Sequence, residues 1–322
     1  MHSSSQPLVV LTPYYEDREA IRRLFTDLHH EFGKQVHLVV IDDGSVHEPL
    51  DPHWLLQSQL SGEVVYLKRN LGHQRAIAVG INYVAQHHPD QIVVVMDSDG
   101  EDRPASIQEL LTQLEVSPQR DVVVATRKSR VESWRFQFFY FWYKYFFELA
   151  TGRHINFGNF MALRPAAVAR LAAMQELWIH FAGTVLLSKL RISECPIARG
   201  ARYAGKSKMN FVGLVLHGFK GLMVFAEDVL VRVGIACAFI GIVAVLGTFA
   251  TFALKLFGIT TPGWFSVALG LLFLIFLQMI VLSIMALMML MLTGVIRGGV
   301  AIKIMAYSDF IEEIIKTKKY IN

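Results

Sequence analysis

The chain has 322 residues, of which 53% are hydrophobic and 18% charged, with a net charge of +4. This length accommodates one large domain or two modest ones. The mildly basic balance suits a protein beside an anionic membrane, and no nucleic-acid-binding motif accompanies it. Two distant cysteines, Cys195 and Cys237, indicate neither a disulfide framework nor a metal cluster, and fit a reducing compartment. The N-terminus is polar and lacks a signal-peptide core, so we expect the first domain in the cytosol.

Strands and helices alternate over the first 126 residues. Short apolar runs rich in β-branched residues predict strands at Leu8–Thr12, Val36–Ile41, Glu63–Lys68, Gln91–Met96 and Asp121–Thr126. Helical patterns lie between most of them, at Arg18–Phe32, Pro52–Leu60 (short), His73–His87 and Pro104–Glu115. The run Ile92–Met96 lacks polar alternation, which is typical of a central strand buried on both faces. The pattern predicts a doubly wound, mostly parallel α/β sheet with helices on both faces.

The stretch Glu132–Ala150 has the length of a helix and is crowded with aromatic side chains from Trp134 to Phe147. Rings on every face favour a helix at the membrane interface, and a buried core helix is the alternative. The next helical pattern, Asn210–Asp228, carries apolar residues at helical spacing and predicts an amphipathic juxtamembrane helix.

Two long apolar stretches follow, Val229–Leu254 and Phe265–Ile296. Each exceeds the roughly 20 residues that cross a hydrocarbon core. The linker Lys255–Trp264 is short, and more basic residues lie on the outer flanks of the pair. The positive-inside rule therefore predicts a multi-pass protein of the cytoplasmic membrane with both termini in the cytosol. The predicted parts are a cytosolic domain (1–208), a juxtamembrane helix (209–228), two transmembrane helices (229–296) and a cytosolic tail (297–322).

Polar residues follow each of the first four predicted strands. Ligands of open α/β sheets bind beyond the carboxyl ends of the strands, so we expect these residues at one site. The four segments are Thr12–Asp17, Asp42–Ser45, Arg69–Arg75 and Asp97–Asp102. Neither a Gly-rich dinucleotide fingerprint after the first strand nor a phosphate-loop signature occurs in the sequence, which disfavours a dehydrogenase and a P-loop ATPase.

Asp97 and Asp99 are the sharpest feature of this edge. Two carboxylates at the mouth of a buried strand can bind Mg²⁺ or Mn²⁺ together with a substrate diphosphate. The alternative is a solvated acidic turn. A carboxylate of Asp42–Ser45 could accept hydrogen bonds from a nucleotide, or the segment is a strand-ending turn. Arg69 and Arg75 flank a helix start and could hold phosphate oxygens, or either is a plain surface residue.

With these segments in place, the chain resembles family 2 glycosyltransferases. It is more narrowly similar to the polyprenyl-phosphate group, which includes bactoprenol glucosyltransferases and dolichol-phosphate mannose synthases. The two apolar stretches match the bactoprenol branch. The resemblance follows the chain in order through Pro13-Tyr14-Tyr15-Glu16, Asp42-Asp43-Gly44-Ser45, Arg69-Asn70-Leu71-Gly72-His73-Gln74, Met96-Asp97-Ser98-Asp99 and Arg202-Tyr203-Ala204-Gly205-Lys206-Ser207-Lys208.

The resemblance implies a GT-A type domain that transfers one sugar, with inversion, from a nucleotide-sugar to polyprenyl (undecaprenyl) phosphate. UDP-glucose or another UDP-hexose is the expected donor, and cell-envelope polysaccharide biosynthesis the expected setting. The expected partners are the donor, the lipid acceptor, membrane lipids and, in a homo-oligomer, a second copy of the chain, with no nucleic acid.

Site roles carried over from the family fall on matching positions. Asp99 would be the direct metal ligand, and Asp97 would bridge metal-bound water or the donor. Arg202, Ser207 and Lys208 would close over the diphosphate. The nucleoside pocket would be lined by Pro13, Tyr14, Glu16 and Asp43.

The acceptor phosphate is already anionic near pH 7, so it needs cationic positioning more than a general base. Arg127 and Arg135 precede or begin the aromatic stretch, where the family binds lipid phosphate, and we expect them to hold it. Lys128 and Arg130 would instead face anionic headgroups.

Two positions depart from the family pattern. Glu101 stands where the family often has Gln, and it adds a third acidic residue, and a candidate ligand, to the metal site. Asn159 stands where many relatives carry Asp. An amide can position a reacting group by hydrogen bonds, but it cannot act as a base.

Two other functions remain open on the sequence. A processive polysaccharide synthase usually carries more membrane helices and a Gln-x-x-Arg-Trp motif, and the sequence has neither. A membrane scaffold or inactive paralogue would keep the fold to bind lipid or nucleotide, and the departures at Glu101 and Asn159 are its support.

Overall fold

The computed structural model describes residues 8–127, 144–204, 211–297 and 306–317. These residues form two compact units. The first unit contains residues 8–127, 155–204, 211–224 and 306–317, and the second contains residues 144–154 and 225–297.

The first unit is built on an eight-stranded sheet with the order β7-β5-β6-β4-β1-β2-β3-β8. The strands are β1 Leu8–Tyr14, β2 Val36–Asp42, β3 Ser61–Leu67, β4 Val93–Val95, β5 Val122–Arg127, β6 Phe157–Leu163, β7 Ile192–Ile197 and β8 Ile311–Thr317. Strands β4, β1, β2 and β3 run parallel, as do β5 and β7. Strand β6 lies antiparallel between β4 and β5, and β8 lies antiparallel to β3. The mostly parallel α/β sheet expected from the sequence is confirmed.

Helices cover both faces of this sheet. Successive side chains of a strand point to opposite faces, and in these strands both sets are apolar. Val9, Leu11 and Val39 pack with the helix His73–His87 in one core cluster, while Val10 and Val40 pack with the helices Arg18–Phe32 and Ile107–Val116 in another. The helices of the first unit are α1 Arg18–Phe32, α2 His53–Gln57, α3 His73–His87, α4 Ile107–Val116, α5 Pro165–Ala172, α6 Phe181–Leu187 and α7 Phe211–Met223. Helices α1 and α3 have the bounds that their apolar spacing predicts.

Residues 311–317 of the predicted C-terminal tail form a strand of the sheet. Strand β8 pairs with β3 along its length, with Val64 opposite Ile315 and Glu63 opposite Lys316. The Thr317 hydroxyl donates to the Gly62 carbonyl (2.7 Å) and accepts from the Gly62 amide (2.9 Å). The C-terminal segment therefore closes the edge of the sheet.

The second unit holds two long helices, α8 Ala226–Leu256 and α9 Trp264–Arg297. They run antiparallel, since Gly247 approaches Leu272 while the Phe252 and Phe265 rings lie 5.1 Å apart nearer the loop. By length and composition, 31 residues of α8 and the 26 residues Trp264–Met289 are long and apolar enough to cross a membrane. Residues 144–151 are helical, which is the described end of the predicted aromatic helix; residues 132–143 of that prediction lie outside the described residues.

Candidate active site

The acidic turn after β4 has a fixed backbone. The Asp97 amide donates to Asp102 Oδ2 at 3.0 Å, and the Glu101 amide donates to Asp99 Oδ1 at 3.0 Å. Gly100 has a φ of +88°, a conformation that favours glycine. Because β4 runs parallel to β1, this turn lies at the same sheet edge as the residues that follow β1, β2 and β3.

Residues 199–203 lie directly against this turn. The Gly200 amide donates to the Glu101 carbonyl (2.9 Å), and the Tyr203 amide donates to the Asp99 carbonyl (2.8 Å). A Cβ on Gly100 would come within 2.5 Å of the Tyr203 ring, and one on Gly200 within 2.4 Å of the Gly100 carbonyl oxygen. The close approach therefore requires glycine on both sides.

The segment is also fastened to α1. The Tyr203 hydroxyl donates to Asp27 Oδ2 at 2.5 Å, and the Arg23 guanidinium lies 5.5 Å from the centre of the Tyr203 ring. Residues 199–203 thus form a second wall of the site, held from two elements.

Two arginines of this wall meet the acidic turn. Arg202 Nη2 lies 2.8 Å from Asp99 Oδ2 and 3.5 Å from Glu101 Oε1. Arg199 pairs with the other oxygen of Glu101. Burial raises the pKa of Asp99 and the Asp97 charge adds to this, against the opposing effect of Arg202 and Arg199. Arg202 therefore lies beside Asp99, the expected metal ligand.

His73 and Asn159 contact the other member of the acidic pair. His73 Nε2 lies 3.2 Å from Asp97 Oδ1, and Asn159 Nδ2 lies 3.0 Å from the same imidazole nitrogen. The antiparallel register of β4 and β6 pairs Val95 with Met161, so Asn159 lies across from Asp97 two residues further on. Burial alone would raise the pKa of Asp97, but the charge of His73 and the polar side chains of His73 and Asn159 beside it lower the pKa.

Gln74 connects this contact to α6. Gln74 Nε2 donates to Asn159 Oδ1 at 3.3 Å, and the side-chain oxygen Oε1 of Gln74 accepts from the Phe181 backbone amide at 2.7 Å. Asn159 is consequently held in place by a buried neighbour.

The carboxylates of the turn fit a hard divalent cation. Asp97 Oδ1 is buried and accepts no hydrogen bond from any described residue, although the His73 ring lies near it. Burial, together with the charge of Asp97, raises the pKa of Asp99, and a cation at the two carboxylates would stabilise their charged forms. Oxygen ligands in a partly open site suit Mg²⁺ or Mn²⁺. Glu101 differs from the pair because both of its carboxylate oxygens face arginines.

The residues expected around the nucleoside tie neighbouring loops together. Glu16 has a φ of +47°, and its carboxylate accepts from the amides of Val46 (2.6 Å), His47 (2.9 Å) and Glu48 (2.6 Å). The Tyr14 hydroxyl donates to the Glu48 carbonyl at 2.5 Å. The segment that begins at Pro13 is thereby fastened to the loop after β2.

Asp43 makes the next connection. Its two carboxylate oxygens accept from the amides of Leu71 (2.7 Å) and Gly72 (2.9 Å), where α3 begins. Burial raises the pKa of Asp43 to about 6, although these amides oppose the rise. The carboxylates of Glu16 and Asp43 are therefore engaged by backbone amides and shape the loops that surround the pocket.

Arg69 and Arg75 lie at the exposed rim of the same edge. Arg75 is in the first turn of α3, and the Arg69 backbone packs against Gly44, where a Cβ would lie 2.4 Å from the Arg69 carbonyl carbon. Arg127 is the last residue of β5, and its side chain is outside the described part of the structure. Arg135, Ser207 and Lys208 also lie outside the described residues.

No role was assigned from the sequence to Arg199, to His73 or to a pair of histidines. His180 Nε2 lies 3.1 Å from His217 Nε2, which joins the start of α6 to α7. His180 Nδ1 accepts from the Gly183 amide (3.0 Å) and caps α6. Burial lowers the pKa of His180 to about 3, helped by the nearby His217 and Lys220, so the ring is neutral at ordinary pH. His217 lies within the predicted amphipathic helix Asn210–Asp228, and helical spacing gives no information about its partner on another element.

Comparison with known proteins gives the family context. Residues 9–178, more than half of the chain, match Glycosyl transferase family 2. The chain is 25% identical to the uncharacterized glycosyltransferase YkoT of Bacillus subtilis (strain 168) over 297 residues, which covers 86% of this chain and 85% of that protein. It is 25% identical to the uncharacterized glycosyltransferase sll0501 of Synechocystis sp. over 282 residues, 83% of this chain and 85% of the relative.

Solved structures show a weaker likeness. Glucosyl-3-phosphoglycerate synthase from Mycobacterium tuberculosis in complex with phosphoglyceric acid aligns with a TM-score of 0.49 and 16% identity, over 70% of this chain and 80% of that one. The same protein in complex with Mn²⁺, uridine-diphosphate-glucose and phosphoglyceric acid aligns with a TM-score of 0.48 and 16% identity, over 70% and 79% of the two chains.

Proposed function

Because the chain belongs to glycosyltransferase family 2, we propose that it transfers one sugar, with inversion, from a UDP-sugar to polyprenyl phosphate at the cytosolic face of the membrane. That it is a glycosyltransferase follows from the family; the donor, the acceptor and the residue roles are our proposal. The observation that carries it is the wall of residues 199–203, which brings Arg199 and Arg202 against an acidic turn at the ligand-binding edge of the sheet.

We assign the diphosphate end of the donor to this turn and wall. Asp97 and Asp99 would hold Mg²⁺ or Mn²⁺, which when bound supplies positive charge against the leaving diphosphate. Arg202 forms an ion pair with Asp99, and it can exchange that carboxylate for a phosphate oxygen because guanidinium groups bind both. We assign Glu101 to hold the two arginines rather than to ligate the ion. Ser207 and Lys208 would also cover the diphosphate.

The nucleoside would lie between the loops after β1 and β2. Pro13 and Tyr14 begin the first loop, and the carboxylates of Glu16 and Asp43 keep the loops in register by accepting backbone amides. Their role is thus to fix the shape of the pocket. Arg69 and Arg75 stand exposed at its rim, where they can approach phosphate oxygens.

The acceptor phosphate would be held by Arg127 and Arg135. A phosphate oxygen forms the new bond to the anomeric carbon from the face opposite the departing UDP, and the bond between that carbon and the diphosphate oxygen breaks, leaving its electron pair on UDP. Since the phosphate is already anionic near neutral pH, no proton has to be removed. An amide at Asn159 is compatible with this reaction, and its contacts with His73 suit a role in positioning the sugar.

The path of the chain supports a membrane acceptor. After residue 224 the chain leaves the first unit, runs through α8 and α9, and returns as β8 of the same sheet. Two crossings bring a chain back to the side from which it started, so spanning helices would leave the catalytic unit and both termini on one side. Exposed apolar side chains such as Phe239 and Phe273 along both helices suit contact with lipid.

The test is a product analysis with the full-length protein in detergent. The protein is incubated with Mn²⁺, undecaprenyl phosphate and one donor at a time (UDP-glucose, UDP-galactose, UDP-N-acetylglucosamine or GDP-mannose), and lipids are read by mass spectrometry. We expect one sugar per lipid with a UDP-hexose, UDP-glucose being the first candidate. A ladder of longer products would indicate a processive synthase. The absence of lipid product with every donor would contradict the proposal.

A further inference from the structure

A cluster of two histidines and a glutamate lies at the opposite edge of the sheet from the acidic turn. His37 and Glu63 are near the amino ends of β2 and β3, and His88 follows the last residue of α3. Strand alternation puts His37 and Glu63 on the face that packs against α3. Because α3 begins at the carboxyl edge of the sheet and runs back, its end brings His88 to the two strands.

The three side chains converge on a small volume. His37 Nε2 lies 3.8 Å from Glu63 Oε1, and His88 Nε2 lies 3.6 Å from Glu63 Oε2. One ligand atom from each of the three residues lies within 4.8 Å of the others. A tetrahedral ion with ligands at about 2.0–2.1 Å separates its ligand atoms by roughly 3.4 Å, so small side-chain movements would close the set.

The hydrogen bonds of Ser61 fix the orientation of the His37 ring. The Ser61 hydroxyl donates its proton to the Val36 carbonyl (3.2 Å), so its oxygen accepts from His37 Nδ1, 3.3 Å away. With the proton on Nδ1, the lone pair of His37 Nε2 faces the Glu63 carboxylate. A hydrogen bond from the far nitrogen of a histidine is the usual arrangement at metal ligands.

Both imidazole Nε2 atoms are buried, and neither has a hydrogen-bond partner among the described residues. Glu63 is 6% exposed and is supported by the Tyr83 hydroxyl, which donates to Oε2 at 2.5 Å. With its proton on Nδ1, His37 Nε2 is a buried acceptor that faces a carboxylate, and this arrangement is costly unless a cation lies between the two groups. Lys316 Nζ, 3.1 Å from Glu63 Oε1, supplies part of that charge, but it is on an exposed side chain that can move away.

From this geometry we propose that His37, Glu63 and His88 form a second metal site, which binds Zn²⁺ or a similar transition ion and joins the end of α3 to β2 and β3. Two imidazoles and one carboxylate are a ligand set that suits zinc and leaves one position for water. This set differs from the oxygen-only pair at Asp97 and Asp99, which favours harder ions. The site needs neither the donor nor the acceptor, so its test is independent of sugar transfer.

The test measures Zn²⁺ binding by calorimetry on the full-length protein, purified without a histidine tag and kept in excess Mg²⁺ to occupy oxygen sites. We expect one saturable Zn²⁺ per chain, and Co²⁺ in its place should show the visible absorption of a four-coordinate ion. Glu63→Gln and His88→Asn should each weaken the binding by about 100-fold or more. The matched control His30→Asn removes an exposed imidazole and should leave the affinity unchanged.

Lys316→Met provides a second test, which is needed if a variant of the buried Glu63 does not fold. It removes the competing ammonium group and should tighten Zn²⁺ binding. The proposal is overturned if wild-type protein binds no Zn²⁺, or if Zn²⁺ binds with unchanged affinity in both His88→Asn and Lys316→Met.

Discussion

Acidic side chains of the first unit serve two different purposes. Glu16 and Asp43 accept the amides of neighbouring loops and fix those loops, whereas Asp97 and Asp99 lie beside the basic side chains of His73 and Arg202. The distinction depends on which donors surround each carboxylate, which the spacing of acids in the sequence does not reveal. At the residue scale, therefore, the partners of a carboxylate decide whether it is available to a ligand.

Gly100 tests the close contact between the acidic turn and residues 199–203. In Gly100→Ala the new methyl group must occupy a positive φ and also meet the Tyr203 ring. We expect a loss of about 1–3 kcal/mol of stability and a marked loss of UDP-sugar binding. Gly33→Ala is the matched control, since Gly33 also has a positive φ but no atom within 4 Å of its added Cβ. Thermal unfolding and UDP titration of both variants measure the difference; equal UDP affinity in the two would contradict a close-packed wall.

The burial of His180 predicts that the free energy of unfolding decreases in acid. Its pKa is lowered by burial to about 3, so between about pH 6.5 and pH 3 the unfolded chain binds a proton that the folded chain does not. Stability should fall as the pH falls through this window, by a few kcal/mol in total. His180→Asn keeps a capping acceptor for α6 without titrating, so its thermal midpoint should change less between pH 7 and pH 4.5. An identical pH profile for the variant and the wild type would refute this role.

At the scale of elements, β8 is the feature with the largest consequence. It covers the edge of β3, whose carboxyl end leads to the rim residue Arg69. An uncovered edge strand has unpaired amides and tends to associate with other chains.

Deletion of residues 306–322 should therefore expose β3. We expect hydrogen exchange to become at least about tenfold faster at those amides of Ser61–Leu67 that point towards β8, because they lose their partners, while the amides that point towards β2 keep theirs. Deletion of residues 318–322 alone keeps β8 and is the control. Unchanged exchange in the longer deletion would show that β8 does not hold the edge.

The elements that the sequence predicted are those with strong local periodicity. Helix α1 combines apolar spacing with a capping Asp17, and α3 follows a glycine. Strand β7 was missed because most of its residues are only partly buried or exposed, and its Cys195-Pro196 pair breaks the pattern. Strand β8 was missed because its partner β3 is about 250 residues away.

The same reasoning explains what was predicted of the candidate site. The position of Asp97 and Asp99 followed from a rule about strand ends, which needs only local pattern. The same rule placed the segment Arg69–Arg75 at this edge, but the contact of His73 with Asp97 and that of Arg199 with Glu101 could not be assigned, because they join segments that meet only in the folded sheet. The tail prediction, likewise, lacked any signal for long-range pairing.

At the scale of the whole molecule, the proposed topology places both ends of the α8–α9 pair on the cytosolic side. Thr261→Cys places a thiol in the short loop between the helices, and Glu109→Cys places one on the exposed side of α4. In a background lacking Cys195 and Cys237, a membrane-impermeant maleimide added to intact cells should label the first variant but not the second. Labelling of the second variant alone would show that the orientation is the reverse of the one proposed.

The measurement that most directly tests the central claim is transfer of labelled sugar to undecaprenyl phosphate by three proteins: wild type, Asp99→Asn and Asp90→Asn. Asp99→Asn removes a charge from the proposed metal pair while keeping its shape, whereas Asp90 is an exposed acid outside the site. We predict metal-dependent transfer by the wild type and by Asp90→Asn, and a loss of about 100-fold or more in Asp99→Asn. Full transfer in excess chelator, or by Asp99→Asn, would contradict the account.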